Sequence, residues 1–191
     1  MALLDWNRWY LVDAASVAGW DSQAETWNTP IALPNLQSFK LSPTTDTDSM
    51  QIYGANEHFL SVLTGCEIEL EFGGLAADAY GEMTGITPTE SGTATREWEF
   101  EGGNNLDYFG MVARLKVDGP GNALVYLPRM KLDSVLGLEA AKENKFLIPT
   151  TKAMCGRLRL EDGTLYSVYR LKEFDSAQII PTDFNTAFTS L

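Results

Sequence analysis

Two short stretches of the chain alternate acidic and apolar residues, and they hold the side chains best suited to charge chemistry. Residues 67–72 read Glu-Ile-Glu-Leu-Glu-Phe, and residues 97–101 read Glu-Trp-Glu-Phe-Glu. Strict alternation is typical of a half-buried β-strand, with apolar side chains on one face and polar ones on the other. The pattern predicts a sheet face that carries six carboxylates, those of Glu67, Glu69, Glu71, Glu97, Glu99 and Glu101.

These glutamates allow two interpretations. Like charges on one sheet surface repel each other and destabilise it unless cations lie opposite them. A chain that keeps such a face either uses it as a negatively charged functional surface or exposes it as an ordinary solvated face.

Basic residues also occur in pairs spaced by two, so each pair lies on one face of a predicted strand. The pairs are Arg114 and Lys116, Arg129 and Lys131, and Arg157 and Arg159. One interpretation is an outer sheet surface with salt bridges inside the chain. The other is a contact in which the basic face of one copy meets the acidic face of another.

The sequence predicts no catalytic residue, no cofactor site and no metal site, and therefore not an enzyme. His58 is the single histidine, and no nucleophile motif surrounds it. Cys66 and Cys155 are isolated, which predicts two buried free thiols in a reducing compartment. The run Asp46-Thr47-Asp48 begins like a calcium loop but lacks the glycine and distal glutamate of that loop.

Composition limits the possible partners. The 191 residues fit a single domain, and 14 basic against 26 acidic residues give a net charge of −12. Such a net charge argues against a surface that binds nucleic acid tightly, because tight binding needs Lys and Arg side chains next to the phosphates. No apolar run is long enough for a transmembrane helix, and the N-terminus does not resemble a signal peptide.

Strands must position most of these charged residues, because the sequence predicts a mainly β chain with one or two short helices. A turn at residues 118–122 predicts a hairpin between strands 108–117 and 123–132. Short helices are expected at residues 75–83, ended by Thr84-Gly85, and at 134–145. Residues 1–50 are expected to form an arm or loop region, including a loop over the Thr/Asp-rich run at 44–49, and residues 173–191 a tail.

Four of the five tryptophans lie in the first 30 residues: Trp6, Trp9, Trp20 and Trp27. Large aromatic side chains in so irregular a segment need a surface to pack against. That surface is either the domain itself or a neighbouring subunit, since aromatic residues are enriched in interface cores.

The order of elements over residues 60–160 resembles the major tail (tail tube) proteins of long-tailed bacteriophages. The resemblance consists of strand 67–72, helix 75–83, the Thr84-Gly85 stop and a Thr/Pro-rich loop. Tyr108-Phe109-Gly110-Met111 then opens a hairpin whose second strand, 125–132, leads through a linker into 145–150.

This resemblance implies a β-sandwich that assembles into hexameric rings, which stack into an acidic tube for DNA passage. The implied partners are further copies of the chain and tail proteins such as the tape measure and the tail terminator, with genome DNA passing through without tight binding and no membrane. The implied location is the virion tail, assembled in the cytoplasm of the host bacterium.

On this interpretation the six glutamates are candidates for the channel wall, while the tryptophans and the basic pairs are candidates for contacts between subunits. One acidic strand is expected to line the channel, and the other can lie on the outer sheet, paired with Arg157 or Arg159. The alternatives are another phage structural protein, such as a capsid decoration or baseplate-hub component, and a carbohydrate-binding β-sandwich with tryptophans as stacking platforms.

Overall fold

Strands dominate the computed structural model, which describes residues 10–52, 56–74, 76–91, 95–97, 99, 105–117, 119–134 and 150–189. The fold is mainly β with two short helices among the described residues, which confirms the mainly β prediction. The strands are β1 (Leu11–Asp21), β2 (Thr26–Trp27), β3 (Ile31–Ala32), β4 (Leu36–Ile52), β5 (Asn56–Phe72), β6 (Thr89–Ser91), β7 (Thr95–Glu97), β8 (Phe109–Lys116), β9 (Asn122–Leu132), β10 (Thr150–Cys155) and β11 (Arg170–Phe174). The helices are α1 (Ala77–Thr84) and α2 (Phe184–Thr189).

Nine of the described strands form one antiparallel sheet. Its order is β2-β1-β8-β9-β10-β5-β4, with β3 on β1 and β11 on β9. Strand β9 is the centre of the sheet. One of its edges pairs with β8, and the other pairs with β11 at residues 122–126 and with β10 at residues 130–132. Strands β6 and β7 form a separate two-stranded sheet.

The larger core lies on one face of this sheet. On β5 its members alternate with half-buried residues: Cys66, Ile68, Leu70 and Phe72 are buried. Helix α1 packs over the same face through Ala79 and Met83. Gly85, with φ of 75°, ends α1 and donates its N–H to the carbonyl of Gly81. A left-handed residue suits glycine, so the predicted helix and its stop are confirmed.

A smaller core covers the opposite face of β8 and β9, so these strands are buried on both sides. Its aromatic members are Trp27, Tyr126, Tyr166, Phe184 and Phe188. A Cβ atom at Gly110 would lie 2.8 Å from both the Phe188 ring and Trp27 Nε1. The glycine therefore lets α2 and Trp27 pack directly on the sheet.

Both predicted terminal segments need correction. From residue 11 onward, the supposed N-terminal arm holds β1 to β4, and β1 lies inside the sheet between β2 and β8. The predicted loop at 44–49 is part of β4. The supposed tail contains the end of β11 and α2, whose Phe184 and Phe188 are buried. Their apolar side chains stabilise the smaller core and order this segment. The helix predicted at 134–145 falls almost wholly outside the described residues.

Candidate functional site

The outer face of β5 carries three glutamates, Glu67, Glu69 and Glu71, which we call the acid ladder. Each is half-buried, and each alternates with a fully buried apolar residue of the larger core. The strand and face predicted for this stretch are therefore confirmed.

Cations and a hydroxyl lie opposite the acid ladder. Lys40 on β4 and Lys152 on β10 both lie directly opposite Glu69. Lys152 Nζ is 2.6 Å from Glu67 Oε1, and this ammonium lowers the pKa of the Glu67 carboxyl. Ser38 Oγ donates to Glu71 Oε2 at 2.6 Å. Three glutamates and two lysines give this patch a formal charge of −3 + 2 = −1, far from the unbalanced charge that the sequence suggested.

The second acidic stretch does not join the acid ladder. Its strand is only β7, which ends at Glu97 and pairs with β6 in the separate small sheet. Glu97 and Glu99 are exposed, and Glu99 lies beyond the strand. Trp98, Phe100 and Glu101 fall outside the described residues. The prediction of one sheet face carrying all six carboxylates is wrong, because β7 pairs with its nearest neighbour in sequence and not with the main sheet.

The first basic pair forms salt bridges within the chain. Asp13 lies at a bulge where β1 pairs with β8, and its carboxylate contacts both cations of the pair. Asp13 Oδ2 is 2.6 Å from Arg114 Nη2, and Oδ1 is 3.1 Å from Lys116 Nζ. The hydrogen bonds from Lys116 and Arg114 lower the pKa of Asp13. This pair thus fits the interpretation of a salt-bridged outer sheet.

The second basic pair lines an open groove of about 360 Å³, which we call the basic groove. The Arg129 guanidinium carbon lies 4.0 Å from the centre of the Tyr108 ring, and Lys131 Nζ lies 5.1 Å from it. Lys131 donates to Asn105 Oδ1 at 2.6 Å, and Arg129 Nη1 donates to the Arg157 carbonyl at 3.0 Å. The groove is lined by Thr44, Thr64, Gly65, Tyr108, Arg129, Lys131, Met154, Cys155 and Gly156.

Arg157 and Arg159, the third basic pair, are both exposed. Within the described ranges, neither side chain forms a salt bridge with a glutamate. Their expected pairing with the second acidic stretch is therefore not seen for Glu97 or Glu99.

The two described tryptophans have different environments. Trp27 is 4% exposed and donates its indole N–H to the Pro128 carbonyl at 3.1 Å. It is a member of this chain's own smaller core, which corrects its assignment to a subunit contact. Trp20 is half-buried and packs edge-on against Trp27, with ring centres 4.5 Å apart. It also lines two open cavities of about 390 and 490 Å³. Trp6 and Trp9 lie outside the described residues.

A long hairpin is the feature that sequence reasoning missed. Strands β4 and β5 pair over their whole length, but β10 covers only residues 66–71 of β5. From Thr45 and Leu63 outward, the hairpin continues as a two-stranded ribbon with no further described strand at either edge. This ribbon comprises residues 45–52 and 56–63, and about eight residues per strand make it roughly 26 Å long. The threonines of the 44–49 run favour strands and were the available signal.

The remaining candidates are the two cysteines and the histidine. Cys66 and Cys155 are free and buried, as predicted. Nowhere in the described ranges do three or more histidine, cysteine or acidic side chains gather as metal ligands. His58 lies on β5 within the ribbon. The helices of the described residues are all too short or too polar to cross a membrane.

The comparisons with known proteins add no family to this description. No model of a known protein family matches the chain, and no curated protein sequence matches it significantly.

Proposed function

We propose that this chain is a structural virion protein that polymerises as stacked hexameric rings into a phage tail tube through which DNA passes. The ribbon carries this proposal. A two-stranded hairpin alone is marginally stable in water, and unpaired strand edges bind other strands. A ribbon of about 26 Å is therefore best stabilised by a neighbouring copy.

The outer edge of β4 supports the same conclusion. This strand of 17 residues ends the order of the main sheet, and no described strand pairs with its outer edge. Long open edges are rare in proteins that stay monomeric, because they promote association. Closing this edge with a strand of the next copy would join the sheets of neighbouring copies into the ring that the tail tube resemblance implies.

The acid ladder suits a channel wall that DNA passes without adhering. Together with Lys40 and Lys152 it forms a patch with a net charge of −1, which repels phosphate weakly, and the two lysines limit repulsion among the glutamates. In this proposal the tape measure and tail terminator proteins are partners of the tube, and the finished tube belongs to the virion tail.

Shortening the ribbon tests the proposal. A variant with residues 47–61 replaced by a two-residue Asn-Gly turn keeps the part of β5 that pairs with β10. We expect normal circular dichroism and thermal unfolding but no rings or tubes by negative-stain microscopy. A wild-type protein that stays monomeric at high concentration, in low and high salt and with tail partners added, would overturn the proposed function. A shortened variant that assembles like wild type would remove its principal support.

One observation favours the carbohydrate-binding alternative. Trp20 presents a half-buried ring beside two cavities whose walls include Asn28 and Asp107. Amide and carboxylate groups next to an aromatic ring suit the hydroxyls and the apolar face of a sugar. Calorimetric titration with cellopentaose and with chitotriose tests this alternative, and heat of binding that Trp20→Ala abolishes would support it.

A further inference from the structure

We infer that the basic groove is a docking site for a second copy of this chain, and that its occupant is the acidic segment bearing Glu97 and Glu99. This inference rests on the proposed self-assembly and adds to it the pair of surfaces that meet.

The cations of the groove are available and held in place. In the described part of the chain, no carboxylate lies within 4.0 Å of Arg129 or Lys131. The Tyr108 ring and the Arg157 carbonyl fix the guanidinium of Arg129, so it loses little freedom when it binds an anion.

The groove also has a floor suited to an extended chain. Met154 is 50% exposed there, and a Cβ atom added at Gly156 would meet open space. Strand β10 pairs with β5 only at residues 66–71. From Gly65 towards the start of β5, no described strand pairs with this edge, and Gly65 lines the groove. An extended segment can add to such an edge through main-chain hydrogen bonds.

Glu97 and Glu99 match this groove in charge and spacing. Both are exposed, and no described cation forms a salt bridge with either. They lie two positions apart in the sequence, as do Arg129 and Lys131. The acid ladder is a poorer occupant, because Glu67 already binds Lys152 and Glu71 already accepts from Ser38.

Charge reversal on the two surfaces tests the inference. The groove variant is Arg129→Glu with Lys131→Glu, and the segment variant is Glu97→Lys with Glu99→Lys. Lys172→Glu with Ser167→Glu and Ser176→Glu is the control, because it lowers the net charge by four, as the groove variant does, but at exposed side chains outside the groove. Sedimentation velocity and negative-stain microscopy measure the assembly of each variant. They also measure the assembly of an equimolar mixture of the groove and segment variants, and of a single chain that carries the four substitutions of both variants.

We expect each double variant to fold but to lose at least tenfold in assembled fraction, and the control to assemble like wild type. The mixture should assemble again, because every interface in it then joins opposite charges, and the chain with all four changes should do so too. Assembly of the groove variant at wild-type level, or failure of both the mixture and the combined chain, would overturn the inference while wild-type tubes still support the proposed function. Equal loss in the control would also overturn it. Substituting Gly156→Tyr should block the groove and reduce assembly without any change of charge.

Discussion

Cys66 on β5 and Cys155 on β10 lie directly opposite each other in the antiparallel register, and both thiols point into the larger core. They are 0% and 3% exposed, and the Cys155 thiol donates to the Val168 carbonyl at 2.9 Å. Burial raises the pKa of Cys155 to about 12, with the neighbouring Cys66 adding to the effect. The thiolate, which is the reactive form, is therefore scarce at neutral pH.

We accordingly predict that neither thiol reacts with Ellman's reagent in the native protein at pH 8, whereas both react within seconds in denaturant. A Ser176→Cys variant adds an exposed thiol and should show one fast equivalent in the native state. Fast native labelling of the wild-type protein would mean that the β5–β10 pairing opens readily.

Truncating Trp27 should destabilise the fold itself. Trp27→Ala removes a buried indole from the smaller core and leaves the Pro128 carbonyl without its donor. We expect a loss of about 3–5 kcal/mol in the free energy of unfolding, measured by urea titration. Trp20→Ala is the matched control and should cost clearly less, because its ring is half-buried. Equal losses in the two variants would contradict the assignment of Trp27 to the core.

The Asp13 salt bridges should make stability depend on pH in acid. Because Lys116 and Arg114 lower the pKa of Asp13 below its usual 3.8, the folded state favours the carboxylate. This contribution is fully present above about pH 4 and is lost as the pH falls through the lowered pKa. Asp13→Asn should therefore cost about 1 kcal/mol at pH 7 and less at pH 2. Ser167→Ala, at an exposed position without an ionisable group, should show no such difference between urea titrations at the two pH values.

Neutralising the acid ladder should make assembled tubes retain DNA. Glu67→Gln with Glu69→Gln leaves Lys40 and Lys152 in place, so the patch changes from −1 to +1. Tubes of this variant should bind duplex DNA at low salt, in a co-sedimentation assay, whereas wild-type tubes should not. Glu161→Gln with Asp175→Asn removes the same charge elsewhere and should have no effect. Equal DNA binding by wild type and variant would show that the acid ladder is only a solvated face.

Local patterns in the sequence were enough to predict several of the strands and one helix. The alternation at residues 67–72 located a half-buried strand and its charged face, and the Gly85 stop located the end of α1. The turn at 118–122 located the hairpin of β8 and β9. These features depend on residues close in sequence, whose side-chain period and turn preferences act locally.

Tertiary structure decided what those elements pair with. The lysines opposite Glu69 are Lys40 on β4 and Lys152 on β10. They are 29 and 83 positions away from Glu69 in the sequence, so no local pattern could reveal them. The same holds for Trp27, whose indole is buried by α2 and β9, far along the chain. The alternation at residues 97–101 predicted a strand, but it could not predict the sheet to which that strand belongs. The partner and the register of a strand are set by long-range packing. The sequence by itself therefore determined the chemical character of each strand, while only the folded chain decided which charges were neutralised and which stayed available.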